Sequence, residues 1–270
     1  MTIRIAMWSG PRNLSTALMY AFAARGDCAV TDEPFYAANL AITGLDHPMR
    51  DAVLASQPQD PAAVRVTGEA PGGKPVWYQK HMTQHMLEGV PRDWMGACRH
   101  AFLIRHPARV VASYSKKREE PVLADLGFLQ QAELFDRVAQ AEGVAPPVID
   151  STALREAPEA RLKALCEALG IGWTPRMLRW EAGPKPYDGI WAPVWYHAVH
   201  ASTGFEAAEG PLPDLPPAYA RLAEAALPAR AHVLGGGSVV VVAEALGAPH
   251  PFRDDPSAAT DFAKLSRMML

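Results

Sequence analysis

The chain has 270 residues, 49% of them hydrophobic, enough for one large core and a single α/β domain with appendages. With 26 basic and 29 acidic residues its net charge is −3, which excludes a broad basic footprint for nucleic acid or anionic lipid, so local basic sites must do any anion binding. Three scattered cysteines, an N-terminus unlike a signal peptide and no run near the ~20 apolar residues of a membrane span lead to the expectation of free thiols and a cytoplasmic, membrane-free protein.

The apolar run from Ile3 to Trp8 predicts a first strand, and Leu14, Ala17, Leu18 and Phe22 predict a helix over 15–25. Between them lies Ser9-Gly10-Pro11-Arg12-Asn13-Leu14-Ser15-Thr16. Amides at such a helix start converge on one spot, and the helix dipole favours negative charge there. Gly10 is expected to admit a ligand close to the backbone, Arg12 to add a permanent fork of donors, and Ser15 and Thr16 to add hydroxyls. The loop is not that of a nucleotide triphosphatase: counting from Gly10, the second Gly position holds Ser15 and the Lys position holds Thr16. The basic residue stands at Arg12 instead, which points to an anion cradle without a metal. A second strand at 28–31 runs into Thr31-Asp32-Glu33-Pro34. The stretch from Asp46 to Gly73 is rich in Pro, Gln, Asp and Gly and is expected to be an excursion with one short helix.

A third strand at 75–80 ends in Lys80-His81, and a fourth at 100–104 ends in Arg105-His106-Pro107. Pro107 suits a first helical turn, so a helix is predicted over 107–119, with Val110, Val111 and Tyr114 facing the sheet. Arg105 then sits at the carboxyl end of a strand, where open α/β sheets bind ligands, and Ser113 lies about two turns into the helix. Together they make a second phosphate site, separate from the first. Helices at 126–143 and 156–170 and a strand at 147–150 complete an alternation that predicts a mainly parallel sheet flanked by helices.

From Gly183 to His200 the chain becomes aromatic and punctuated by Pro and Gly. It is either a loop lying over the sheet edge, over 183–210, or a packed covering segment. His197 and His200 have no third ligand nearby, and no pair of carboxylates is spaced as a metal site, so no metal is implied. A Pro-rich linker, Pro211–Pro217, leads into a helix to about Leu227, and a boundary is placed between 1–228 and an appendage of 229–270. Within that appendage, the Gly run at 235–237 and Val239–Val242 form either a late edge strand or a tail, and a last helix is expected from Pro256 to Met269.

Two anion sites at two strand ends suggest a ligand with anions at both ends of a nucleoside. On these residues the chain resembles the P-loop sulfotransferase family over roughly residues 1 to 182. Pro11-Arg12-Asn13-Leu14-Ser15-Thr16 is similar to its 5′-phosphosulfate loop, with Arg12 where Lys is more usual. Arg105, Pro107 and Ser113 match its 3′-phosphate motif, an Arg followed by Pro and by Ser eight positions on. Val76–His81 and the run from Pro147 through Ser151 to Gly170 are similar to further family stretches. The resemblance implies a three-layer P-loop-type α/β fold and 3′-phosphoadenosine 5′-phosphosulfate (PAPS) as co-substrate. It also implies sulfuryl transfer to a hydroxyl or amine of a small molecule. Arg12 is then the cation for the leaving group, with Lys80 a possible helper. Glu33 and His81 are rival bases: His81 resembles the family's catalytic His, and Glu33-Pro34 an element of some bacterial members. Two other classes stay open. One is a small-molecule kinase, for which Asp150 would be the magnesium ligand; the other is a non-catalytic protein that senses a nucleotide bisphosphate.

Overall fold

A computed structural model describes residues 2–117, 120–236 and 238–241. Its centre is a six-stranded sheet in the order β2-β3-β1-β4-β5-β6, every pairing parallel. The strands are β1 (Ile3–Ser9), β2 (Cys28–Asp32), β3 (Val76–Met82), β4 (Arg99–Ile104), β5 (Pro147–Asp150) and β6 (Ser238–Val241). β1 lies inside the sheet and is covered on both faces: Ile5, Ala6, Met7 and Trp8 are all 0% exposed. That is why it reads as a continuous apolar run and not an alternation. Ile5 and Met7 each contribute about 1.5–3 kcal/mol of burial.

Alternation along the strands divides the core. Ala6, Trp8, Phe102, Ile104 and Val148 face α4 (Pro107–Tyr114), α6 (Phe128–Glu142) and α11 (Pro217–Gly236). Ile5, Met7, Tyr78, Leu103 and Ile149 face α1 (Ser15–Ala23) and α8 (Pro158–Ala168). The expected three layers are therefore present. A smaller cluster joins α2 (Tyr36–Thr43), α3 (Arg50–Ser56) and α9 (Ala192–Trp195) beyond the carboxyl ends of the strands. Because β1 is flanked by β3 on one side and β4 on the other, chain direction diverges there and opens a crevice at those strand ends.

Several boundaries differ from the sequence expectation, each for a visible reason. The helix expected over 126–143 is α6, which starts two residues later because Gly127 separates it from α5 (Leu123–Leu126), a short helix that was not expected. Gly127 has φ 69°, and a Cβ there would stand 2.5 Å from Thr83 Oγ1. The helix expected over 156–170 is α8, which starts at Pro158; Ala157 (φ −142°, ψ 63°) lies outside the helical region ahead of the proline and separates it from α7 (Ser151–Glu156). α11 does not stop at Leu227 but runs through Pro228 to Gly236, with Ala229 and Val233 buried. It thus crosses the boundary placed after residue 228. The Gly run leads into an edge strand, β6, paired with β5. The short helix expected in the Asp46–Gly73 excursion is α3, whereas α2 was not expected. The helix expected from Pro256 to Met269 lies outside the described residues. Cys28, Cys98 and Cys166 are free, the first and last buried. Among the described residues, no helix is long and apolar enough to cross a membrane.

Candidate functional site

The loop after β1 is held open by its backbone. Arg12 and Leu14 both have left-handed conformations, φ 61° and 71°, uncommon for side chains with a Cβ and typical of strained functional turns. Leu14 precedes α1 without a side-chain cap, so the first amides of that nine-residue helix are left for another acceptor. Arg12 Nε donates to Ser113 Oγ at 2.9 Å and its guanidinium reaches the Trp195 carbonyl at 3.3 Å. Arg105 donates to the Arg12 carbonyl at 2.6 Å, and its Nε is buried without a partner. The two anion sites expected at separate strand ends are thus in direct contact. Burial, then Arg105, lowers the Arg12 pKa.

These residues line one cavity of about 580 Å³, together with Pro11, Leu14, Ser15, Thr16, Glu33 and Lys80. Two members of the loop motif do other work. Asn13 is buried and ties the loop to β4, donating to the Leu103 carbonyl at 3.2 Å. Gly10 makes room for protein: a Cβ there would meet the Leu126 carbonyl at 2.6 Å, at the α5–α6 junction.

Lys80 and His81 are neighbours in β3, so their side chains leave opposite faces of the sheet. Lys80 enters the crevice. Its ammonium is held by Asp32 Oδ1 at 2.8 Å, Glu33 Oε1 at 2.7 Å and the Tyr196 hydroxyl at 2.7 Å. Burial would lower its pKa, but Asp32 and Glu33 raise it, so the ammonium stays charged. Two carboxylates share that one cation. Burial pushes the Glu33 carboxyl up, Lys80 pulls it down, and the like charge of Asp32 adds to the rise. Glu33 also has φ 42°. Tyr196 donates to Asp32 Oδ2 at 2.6 Å and accepts from Trp191 Nε1 at 3.0 Å, which fastens the 183–210 segment to this network.

His81 lies elsewhere. Its ring packs among Trp8, Trp94 and Phe35, with centroids 4.8, 4.9 and 5.9 Å away, and it is not part of the cavity wall. Its Nε2 pairs with Gln79 Oε1 at 3.0 Å, and burial pushes its pKa down to about 3. The structure brings together Arg12, Ser15, Thr16, Glu33, Arg105 and Ser113, and leaves His81, Asn13 and Gly10 in the packing behind them.

The aromatic segment supplies Trp191, Trp195 and Tyr196 to the cavity, and Tyr36, Leu40 and His85 line it too, Tyr36 packing edge-on against Trp191 at 4.9 Å. His85 stacks on Tyr36 at 4.8 Å, and burial lowers its pKa to about 3. Tyr36 also bonds His47. His200 pairs with Asp188 at 3.0 Å, and Asp188 in turn accepts from Tyr20 at 2.8 Å. Among the described residues, no group of three His, Cys, Asp or Glu side chains is arranged to hold a metal ion. Asp150 caps α7 through the Thr152 amide at 2.8 Å and pairs with Arg230 at 2.8 Å. His106 caps α4, its Nδ1 accepting from the Ala108 amide.

Asp32, Tyr36 and His85 were not anticipated as site residues. For Asp32 a signal existed, an acid next to Glu33 at the end of a strand. For Tyr36 and His85 nothing local announces their meeting, since they belong to separate excursions brought together only by the fold.

The sequence profile of a family described as "Sulfotransferase domain" matches residues 3–233. Two Arabidopsis thaliana proteins are similar. Branched-chain-amino-acid aminotransferase-like protein 1 is 39% identical over 241 residues, covering 87% of this chain and 43% of that protein. Protein 2 is 39% identical over 225 residues, covering 83% of this chain and 40% of that protein. The chain therefore spans about two fifths of the length of these relatives. Among solved structures, the sulfotransferase domain of the Synechococcus PCC 7002 olefin synthase is 16% identical, with a TM-score of 0.47 over 83% of this chain and 94% of that one. The sulfotransferase domain from the curacin biosynthetic pathway is 16% identical, with a TM-score of 0.45 over 83% of this chain and 97% of that one.

Proposed function

Because this chain belongs to the sulfotransferase domain family, we propose that it moves a sulfuryl group from PAPS to a hydroxyl of a small molecule, with Glu33 as base. The observation that carries the reading is the joining of Arg12, Arg105 and Ser113 in the wall of a cavity that Glu33 and a cluster of aromatic residues also line. A donor with anions at both ends of a nucleoside suits two linked cationic sites. The α1 amides, Ser15 and Thr16 would hold the 5′-phosphate, and Arg105 with Ser113 the 3′-phosphate. The orphaned Arg105 Nε and the uncapped start of α1 are donors in want of an acceptor.

In the transfer, the acceptor oxygen bonds to sulfur while the bond from sulfur to the 5′-phosphate oxygen breaks. The electron pair leaves with the phosphate, and Arg12 and the α1 amides meet the negative charge that grows there. The acceptor proton passes to Glu33, whose raised pKa makes it a better base than an ordinary carboxylate. Lys80, kept charged, and Asp32 fix the carboxylate. A hydroxyl suits this base better than an amine, which near neutral pH arrives as an ammonium without a free electron pair. Trp191, Trp195, Tyr196 and Tyr36 give the cavity an aromatic lining suited to a small ring or apolar tail. The 183–210 segment serves as the acceptor loop.

Thermal-shift titration tests the reading. Adenosine 3′,5′-bisphosphate should raise the Tm by mass action where ATP with magnesium does not. Stabilisation by ATP and magnesium alone would favour a kinase, although Asp150 is engaged by Arg230 and the Thr152 amide.

A further inference from the structure

Glu209 is a carboxylate sunk among arginines. It contacts Arg105, Arg109 at 3.3 Å and Arg155 at 3.2 Å, and accepts from Thr152 Oγ1 at 3.3 Å. Its side chain is 6% exposed, although Ala207, Ala208 and Gly210 around it are exposed. Burial alone would raise its pKa, but the hydrogen bond and charge of Arg105, with Arg109 and Arg155, hold it below the ordinary carboxylate range. It is therefore an anion. Arg105 is the residue that the donor reading assigns to the 3′-phosphate.

The chain that carries Glu209 is fastened mainly by these charges. Its ends are anchored by Phe205, packed edge-on against Trp180 at 5.3 Å, and by Leu215 against the core. Between them, among the described residues, no backbone–backbone bond outside regular elements involves 205–215. The middle is tied by side chains instead: Arg155 to the Ala207 carbonyl at 2.8 Å and to Glu206 at 2.8 Å, and Arg109 to the Gly210 carbonyl. Such a strap can lift at the cost of ion pairs that an incoming anion replaces.

Resting on the donor reading above, we propose that Glu209 is an intramolecular stand-in for a phosphate of the bound nucleotide. Arg109 and Arg155 complete the phosphate site with Arg105, and the 205–215 strap must release Glu209 for the nucleotide to bind. The three guanidinium groups outnumber the single carboxylate they enclose. A dianionic phosphate accepts from more of their donors than one carboxylate does, which gives the exchange its direction. Apparent affinity is the intrinsic affinity scaled by the fraction of molecules with the strap released.

Calorimetric titration with two probes, adenosine 3′,5′-bisphosphate and inorganic phosphate, tests this. Glu209→Gln keeps the shape and removes the charge, and should tighten both probes by about tenfold or more. In that background, Arg155→Ala should give back most of the gain. A gain for phosphate without any nucleotide binding would keep the strap and reject the donor reading. No gain for either probe, with Arg105→Ala still costing nucleotide affinity, would overturn the strap and keep the donor. A second readout uses the unmodified protein. Adenosine 3′,5′-bisphosphate should accelerate cleavage by a glutamate-specific protease after Glu209; slowed or unchanged cleavage there contradicts release.

Discussion

Arg12 lies where the two proposed anion sites meet, its side chain on Ser113 and its carbonyl on Arg105. In the proposed reaction its charge faces an oxygen that becomes more negative as the sulfur bond breaks, so its contribution belongs mainly to the transition state. Arg12→Ala should lower kcat by about a hundredfold or more, the scale of removing one oriented donor, with a smaller effect on donor affinity. Steady-state kinetics decide it: lost affinity with intact kcat would make Arg12 a binding residue only. Arg105→Ala should weaken adenosine 3′,5′-bisphosphate far more than adenosine 5′-monophosphate, because only the first carries the phosphate Arg105 would grip. Equal losses refute that assignment. Glu33 acts only when deprotonated. Since its pKa is raised, the acid limb of the kcat profile should lie above the ordinary glutamate value of about 4.3, activity falling as pH drops through it. Glu33→Gln should remove that limb along with most of the activity.

At the level of elements, the strands were the most readable feature, because buried parallel strands are short apolar runs whatever their neighbours. The strand-end motifs were readable too, since the ends of β1 and β4 carry residues that no core would choose. Two things were hidden. Choosing between Glu33 and His81 as base required knowing which face of β3 meets the crevice, and a β-strand with both faces covered shows no alternation from which to read it. α2 was hidden because Tyr36–Thr43 is short and its buried run, Tyr36 to Leu40, finds its partners only in the 183–210 segment and α3. Gly10 shows a similar limit: a glycine in an anion loop suggests ligand approach, while its actual neighbour is the Leu126 carbonyl. Gly10→Ala should therefore destabilise the protein by about 1–3 kcal/mol, as overpacking against backbone does. A urea denaturation midpoint unchanged by the substitution would show that the α5–α6 junction yields freely.

Across the whole molecule, the interior holds several histidines in neutral form. Burial lowers His81 and His85 to about 3 and His100 to about 4. A pKa depressed on folding gives stability that is complete above the unfolded value and is lost as pH falls towards the folded one. Stability should accordingly decline from about pH 6.5 downward, the unfolded histidine range. His81→Phe, which retains the stacked ring and removes the titration, should flatten that decline in urea midpoints measured across pH. An unaltered slope would mean that His81 is protonated at little cost. The layered architecture was legible because the alternation of elements reaches across the chain. The Glu209 strap and the three-arginine cluster were not, since the Arg105–Arg109 turn, Arg155 and Glu209 come from three separate parts of the sequence and meet only in the fold.

The most direct test incubates the protein with PAPS carrying a radiolabelled sulfuryl group and a small-molecule extract, and then repeats it with Glu33→Gln and His81→Phe. The account predicts a labelled small molecule, release of adenosine 3′,5′-bisphosphate, loss of labelling with Glu33→Gln and its retention with His81→Phe. Labelling confined to macromolecules, or labelling untouched by Glu33→Gln and abolished by His81→Phe in a folded protein, would contradict it.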